Sequence, residues 1–218
     1  MKNLFKTVLF AAVGVTMFAS CNSKNDFDIE AERARILEQE KIIDAQLSKE
    51  KSEVEKYVTE HFDGAGISDT TKVRYSEYQT IRTRGIWYEI LKEPTDNKYE
   101  YKIDQSGQQL YIVYPKVKIN YTVKLLDGTV VESGQEENFN LAQNFPIRTQ
   151  IWNFSFAPAK IKHNSNEYAT DGLTKLGLKQ GSKIRVVTPS LWAYGTRVKD
   201  KIPVNSPLVY EFEVLTIE

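Results

Sequence analysis

The chain has 218 residues, with 29 Lys and Arg against 29 Asp and Glu, 41% hydrophobic residues, two histidines and one cysteine. That suits one domain with an appendage, or two small ones, and enough apolar residues for a modest core. Zero formal charge argues against nucleic acid as a partner. One cysteine excludes an intrachain disulfide or cysteine zinc cluster, and His61 and His163 leave little for a metal site or a Ser-His-Asp triad, so neither metal nor cofactor is expected.

Residues 1–20 (MKNLFKTVLFAAVGVTMFAS) carry Lys2 and Lys6 ahead of a twelve-residue, mostly apolar run, Thr7 to Phe18. Crossing a bilayer takes about 20 residues, so the segment reads as a signal peptide, not a span. Phe18-Ala19-Ser20-Cys21 resembles the bacterial lipoprotein cleavage box, with Phe18 where Leu is commoner. That resemblance implies a lipid on Cys21 and a place in the cell envelope, most simply the outer membrane, with the face left open.

Residues 21–67 form a charged arm. Within it, 26–62 lack Gly and Pro and are dense in Glu, Lys, Arg and Ala, which predicts a long helix. Ile29, Ile36, Ile43, Leu47, Val54 and Val58 recur at steps of seven and four, a narrow apolar stripe, and Gly64 and Gly66 supply a stop. Such a stripe has three uses: a homodimer through 26–62, packing on the following domain, or a spacer. Residues 68–84 read as a junction, with 80–84 already strand-like.

From Gly85 onward the pattern is β-rich. Strands are predicted at 86–91, 110–114, 116–126, 183–188 and 208–217, and Val117, Ile119, Tyr121 and Val123 alternate onto one face. Asp127-Gly128 marks a hairpin turn before 129–132. Asp171 to Leu178 is the predicted short helix. The class is α+β, a curved antiparallel sheet around one short helix, preceded by a long helix.

Three segments in series resemble the FKBP-type peptidyl-prolyl cis-trans isomerases: 117–134 (VKINYTVKLLDGTVVESG), 181–195 (GSKIRVVTPSLWAYG) and 202–217 (IPVNSPLVYEFEVLTI). The resemblance spans residues 85–218. It implies prolyl isomerisation in an aromatic pocket between sheet and helix. Catalytic roles fall by position on Tyr121, Glu132 and Tyr194, and substrate-binding roles on Val131, Phe139, Trp152, Ile202 and Tyr210. Val131-Glu132 replaces the family's Phe-Asp, giving a smaller wall and a longer acid. Glu132 is open to three readings: acceptor for Tyr121, contact to the amide carbon, or solvated strand end. An insertion near 153–168 leaves the pocket floor to Trp152 or to a residue near Tyr168. Tyr210 is pocket wall or plain core, Trp192 packing or rim, and Arg197, Lys199 and Lys201 a basic rim. The implied partners are proline-containing unfolded or exported proteins, with the lipid holding the membrane. The expected function is a membrane-anchored isomerase assisting their folding; the alternative is a catalytically weak FKBP-like chaperone or binding lipoprotein.

Overall fold

The computed structural model describes residues 28–73, 82–142 and 149–218; Cys21 and the leader lie outside them. Helix α1 spans Ile29–His61 and is followed by the short strands β1 (Ile67–Ser68), β2 (Lys72–Val73) and β3 (Arg82–Thr83). Then come β4 (Trp87–Lys92), the hairpin β5 (Lys102–Ser106) and β6 (Gln109–Val113), and the long pair β7 (Lys116–Leu125) and β8 (Val130–Asn140). Helix α2 (Gln150–Phe156), the hairpin β9 (Lys160–His163) and β10 (Asn166–Ala169), β11 (Lys183–Thr188), a 3-10 turn at Ser190–Trp192 and β12 (Leu208–Ile217) complete the order.

Helix α1 begins where Asp28 accepts from the amides of Glu30 and Ala31 at 3.1 and 3.0 Å, a side-chain cap for two otherwise orphaned donors. It ends before Asp63 and Gly64, both at positive φ. In its first half Ile29 and Ile42 are exposed and Ile36 and Ile43 half-buried. In its second half the same stripe is covered. Val54 and Phe62 are buried with Val187 of β11 and Val209 of β12, flanked by Tyr57, Val58, Trp87 and Leu126. Arg185 also donates to the His61 carbonyl at 3.1 Å. Among the described residues no helix is long and apolar enough to cross a membrane.

The main sheet runs β1-β4-β11-β12-β7-β8, antiparallel throughout. Alternation divides its residues: Val187 and Val209 face α1, whereas Val186, Tyr210 and Phe212 face the opposite core with Ile119, Tyr121 and Val123. The Asp127-Gly128 turn lies where expected, Gly128 at φ +89° and Asp127 accepting from the Thr129 amide at 2.9 Å.

The short helix differs in place from its prediction. Residues 171–178 are irregular; the helix on the inner face is α2, at 150–156. Asp171 and Gly177 have positive φ, leaving too few residues between them to nucleate a helix. Leu173 and Leu178 instead donate backbone hydrogen bonds to the carbonyls of Phe154 and Phe156, binding the segment to α2. Gly172 permits this approach, since a Cβ there would meet the backbone of Ala157 and Pro158. Residues 153–156 of the expected insertion belong to α2; its later part is β9 and β10, whose Ile161 and Tyr168 pack with Tyr101, Ile103, Leu110 and Ile112. Tyr101 ties this satellite core to the domain by donating to the Leu178 carbonyl at 2.8 Å.

Candidate active site

The site occupies the inner face of the sheet, against α2. Trp152 is its centre: buried, with its ring 5.3 Å from Tyr121, 5.5 Å from Phe139, 6.1 Å from Phe156 and 4.7 Å from Phe212. Helical spacing aligns Trp152 with Phe156, and alternation puts Tyr210 and Phe212 on one face of β12. Of the two positions considered for the floor, Trp152 lies in this aromatic cluster, whereas Tyr168 belongs to the other hairpin's core. Phe139 lies 5.8 Å from Tyr121, edge to face, and closes one side.

A polar cluster lies on these rings. The two oxygens of Glu132 accept separately, from the Tyr121 hydroxyl at 3.0 Å and the Tyr194 hydroxyl at 3.1 Å. Glu132 pairs with Val123 across β7 and β8, so its side chain shares the inner face with Tyr121. The acid is half-buried, which sets aside the solvated strand-end reading. Room for the Tyr121 ring comes from Gly134, directly opposite in register; a Cβ there would stand 2.5 Å from Tyr121 Cε1.

Tyr194 follows the 3-10 turn Ser190–Trp192, in which Ala193 and Gly195 both donate to the Ser190 carbonyl, at 2.9 and 2.8 Å. Trp192 is 1% exposed and donates from Nε1 to the Arg84 carbonyl at 2.7 Å, so it packs behind the loop and is not a rim contact. Arg84 is fully buried: it donates to Asp69 at 2.5 Å and to the Asp171 carbonyl at 2.7 Å, and its guanidinium lies over the Phe154 ring at 4.1 Å. Of the expected basic rim, Arg197 folds back to donate to the Ala193 carbonyl at 2.7 Å. Lys199 and Lys201 are exposed.

Ile202 is buried in the same core, and Val131 is half-buried against it. Tyr210 is 1% exposed, stacked on Phe212 at 5.8 Å, with its hydroxyl 3.3 Å from that of Thr149. Burial pushes its phenol well above the ordinary tyrosine range. Tyr210 thus forms the wall behind Phe212. All eight residues expected from the sequence gather on this one face. Phe156, Phe212, Gly134 and Thr149 join them; of these, Phe212 was legible as the residue two beyond Tyr210 on an alternating strand. Among the described residues no group of three His, Cys, Asp or Glu could hold a metal.

Residues 114–215 match the family described as FKBP-type peptidyl-prolyl cis-trans isomerase. The FKBP-type peptidyl-prolyl cis-trans isomerase FkpA of Aeromonas hydrophila is 30% identical over 132 residues, which is 57% of this chain and 40% of that protein. The chain thus spans about two fifths of that relative's length. Among solved structures, a peptidyl-prolyl cis-trans isomerase from Pseudomonas syringae pv. tomato superposes with a TM-score of 0.48 at 20% identity, covering 80% of this chain and 95% of that one. FkpA from Escherichia coli gives 0.45 at 20% identity, covering 90% and 75%.

Proposed function

Over residues 114–215 the chain is a member of the FKBP-type peptidyl-prolyl cis-trans isomerase family, and from that premise we propose that it is a membrane-anchored isomerase acting on the folding of exported, proline-containing proteins. The observation that carries the activity is the Tyr121–Glu132–Tyr194 cluster seated on the Phe139, Trp152 and Phe212 rings.

Turning an X–Pro amide crosses a barrier of about 20 kcal/mol, because the twist breaks amide resonance. No nucleophile or metal is needed. The twisted amide is less polar than the planar one, so apolar aromatic walls that remove water favour it relative to the ground state. On this reading Trp152 receives the proline ring, with Phe139, Ile202 and Val131 around it and Tyr210 and Phe212 fixing the wall. Tyr194 donates to a substrate carbonyl and, to do so, gives up its bond to Glu132. Glu132 keeps its bond to Tyr121, holding both the acid and the tyrosine in place.

A chymotrypsin-coupled proline-peptide assay tests this. Activity above background that falls at least several-fold in Tyr194→Phe supports isomerase action; background rates in the native chain refute it. A weakly catalytic chaperone or binding lipoprotein is the second reading, favoured by the engagement of the Tyr194 hydroxyl with Glu132. Its mark is protection of a proline-free unfolded client at background isomerase rates.

Anchoring rests on the lipoprotein-like box ending at Cys21. Cys21→Ser is expected to release the protein from the envelope fraction, and its retention there after a high-salt wash would refute an acyl anchor. The exposed first half of α1, with Ile29 and Ile42 uncovered, is the proposed surface for a homodimer.

A further inference from the structure

We propose that Glu50, on the N-terminal helix, is a positioning residue for the active-site loop, an inference that rests on the isomerase reading above. Glu50 is 1% exposed. Its Oε2 accepts from the Ser190 amide at 2.6 Å, and its Oε1 accepts from the Ser190 hydroxyl at 2.6 Å and from the Gln46 side-chain amide. Among the described residues no lysine or arginine forms an ion pair with it. A carboxylate this deep in a protein loses most of its hydration, a cost of several kcal/mol that only well-aligned donors offset. Three donors converge here, and two come from a single residue 140 positions along the chain.

That residue opens the turn carrying Tyr194. The Ser190 amide is the first of the 3-10 turn and faces away from its internal bonds, where a side-chain acceptor is the ordinary remedy. The Ser190 carbonyl then receives the amides of Ala193 and Gly195, which bracket Tyr194. Glu50 thus fixes the near end of a five-residue unit, Ser190 to Tyr194, whose far end points the Tyr194 hydroxyl at Glu132. Trp192, bonded to the Arg84 carbonyl, pins the middle of the unit. Neither group reaches the pocket. Both hold it from behind, and the helix that supplies Glu50 lies outside residues 114–215, the part matched to the family.

The test uses the full chain in detergent, comparing Glu50→Ala, Glu50→Gln and Ser190→Ala with Val54→Ala. Val54 packs the same helix on the sheet against Val187 and Val209, and its side chain has no group to hydrogen-bond Ser190. Amide hydrogen exchange at 190–195 is expected to quicken about tenfold in Glu50→Ala, with β11 unchanged, and kcat/KM to fall by about tenfold, the loss of a hydrogen bond to a charged group. Glu50→Gln, which keeps one acceptor, restores part of both. Val54→Ala leaves kcat/KM and exchange at 190–195 within about twofold, since it removes no bond to the loop. If Glu50→Ala does not fold, Glu50→Gln and Ser190→Ala carry the comparison. Unchanged exchange at 190–195, quickened exchange without loss of kcat/KM, or an equal loss in Val54→Ala overturns the proposal. Background rates in the native chain refute the isomerase reading instead, and the exchange measurements still decide whether Glu50 orders the loop.

Discussion

Glu132→Asp is the substitution that most directly probes the pocket's chemistry. Glu132 spans two hydroxyls, its oxygens reaching Tyr121 at 3.0 Å and Tyr194 at 3.1 Å. Removing one methylene draws the carboxylate back by about 1.3 Å, close to a single-bond length projected along the chain. It cannot then satisfy both hydroxyls. Tyr121 lies on the adjacent strand, in register with Gly134, whereas Tyr194 hangs from a loop, so the shorter acid keeps Tyr121 and releases Tyr194. On the proposed mechanism the substrate carbonyl must displace a charge-assisted hydrogen bond, worth about 1.5–3 kcal/mol, to gain a neutral one of about 0.5–1.5 kcal/mol. Relief of that difference, about 1–1.5 kcal/mol, raises kcat/KM by about five- to twelvefold at roughly 1.4 kcal/mol per decade. Folding stability falls by about 1 kcal/mol for the lost bond. The protease-coupled assay measures the first effect and urea denaturation the second. Adding Tyr194→Phe to Glu132→Asp is expected to abolish the gain, which assigns it to the freed hydroxyl. A kcat/KM that is unchanged or lower in a stably folded Glu132→Asp refutes the reasoning.

Three further outcomes follow from particular contacts. Gly134→Ala drives a methyl into the Tyr121 ring, itself held by Phe139 and Trp152; overpacking of this kind costs about 1–3 kcal/mol, and kcat/KM is expected to fall with it in the same assay. Gly128→Val puts a β-branched residue at φ +89°, a cost of about 2 kcal/mol, seen as a calorimetric Tm lower by about 4–8 °C. Burial raises the Tyr101 and Tyr210 phenols and takes Tyr114 up to about 12. These phenols stay protonated in the folded chain after they would ionise in the unfolded one. Their stability contribution is therefore full below about pH 10 and declines above it, and Tyr101→Phe is expected to flatten that decline in denaturation measured from pH 9 to 12.

Much of the architecture was legible before any coordinates. The alternation of Val117, Ile119, Tyr121 and Val123 reports a strand with one buried face, because successive side chains must point to opposite sides. Asp127-Gly128 reports its turn because a positive φ suits glycine. Six of the eight expected residues lie within the three motifs; Phe139 and Trp152 fall between the first and the second and join the others through β8 and α2. The helix was misplaced because local signals compete there. Residues 153–156 fall in what the sequence presents as an insertion, while 171–178 has the leucine spacing of a helix. Burial decides between them, since Trp152 and Phe156 cover the sheet only when 150–156 coils, and the glycines at 172 and 177 then let the later segment lie against it.

The strands at 87–92, 116–125, 183–188 and 208–217, the Asp127-Gly128 turn and the long helix are written in neighbouring residues through periodicity, turn preference and residue type, whereas the expected site residues came from a family resemblance and β5, β9 and β10 carried no such signal. It takes the folded chain to show that Glu132 joins two tyrosines, that Trp192 faces inward, and that Glu50 reaches Ser190. Those are meetings between residues far apart in the chain. A charged residue on a polar helix looks the same in sequence whether it faces water or a buried amide, and only the packing of that helix on the sheet tells which.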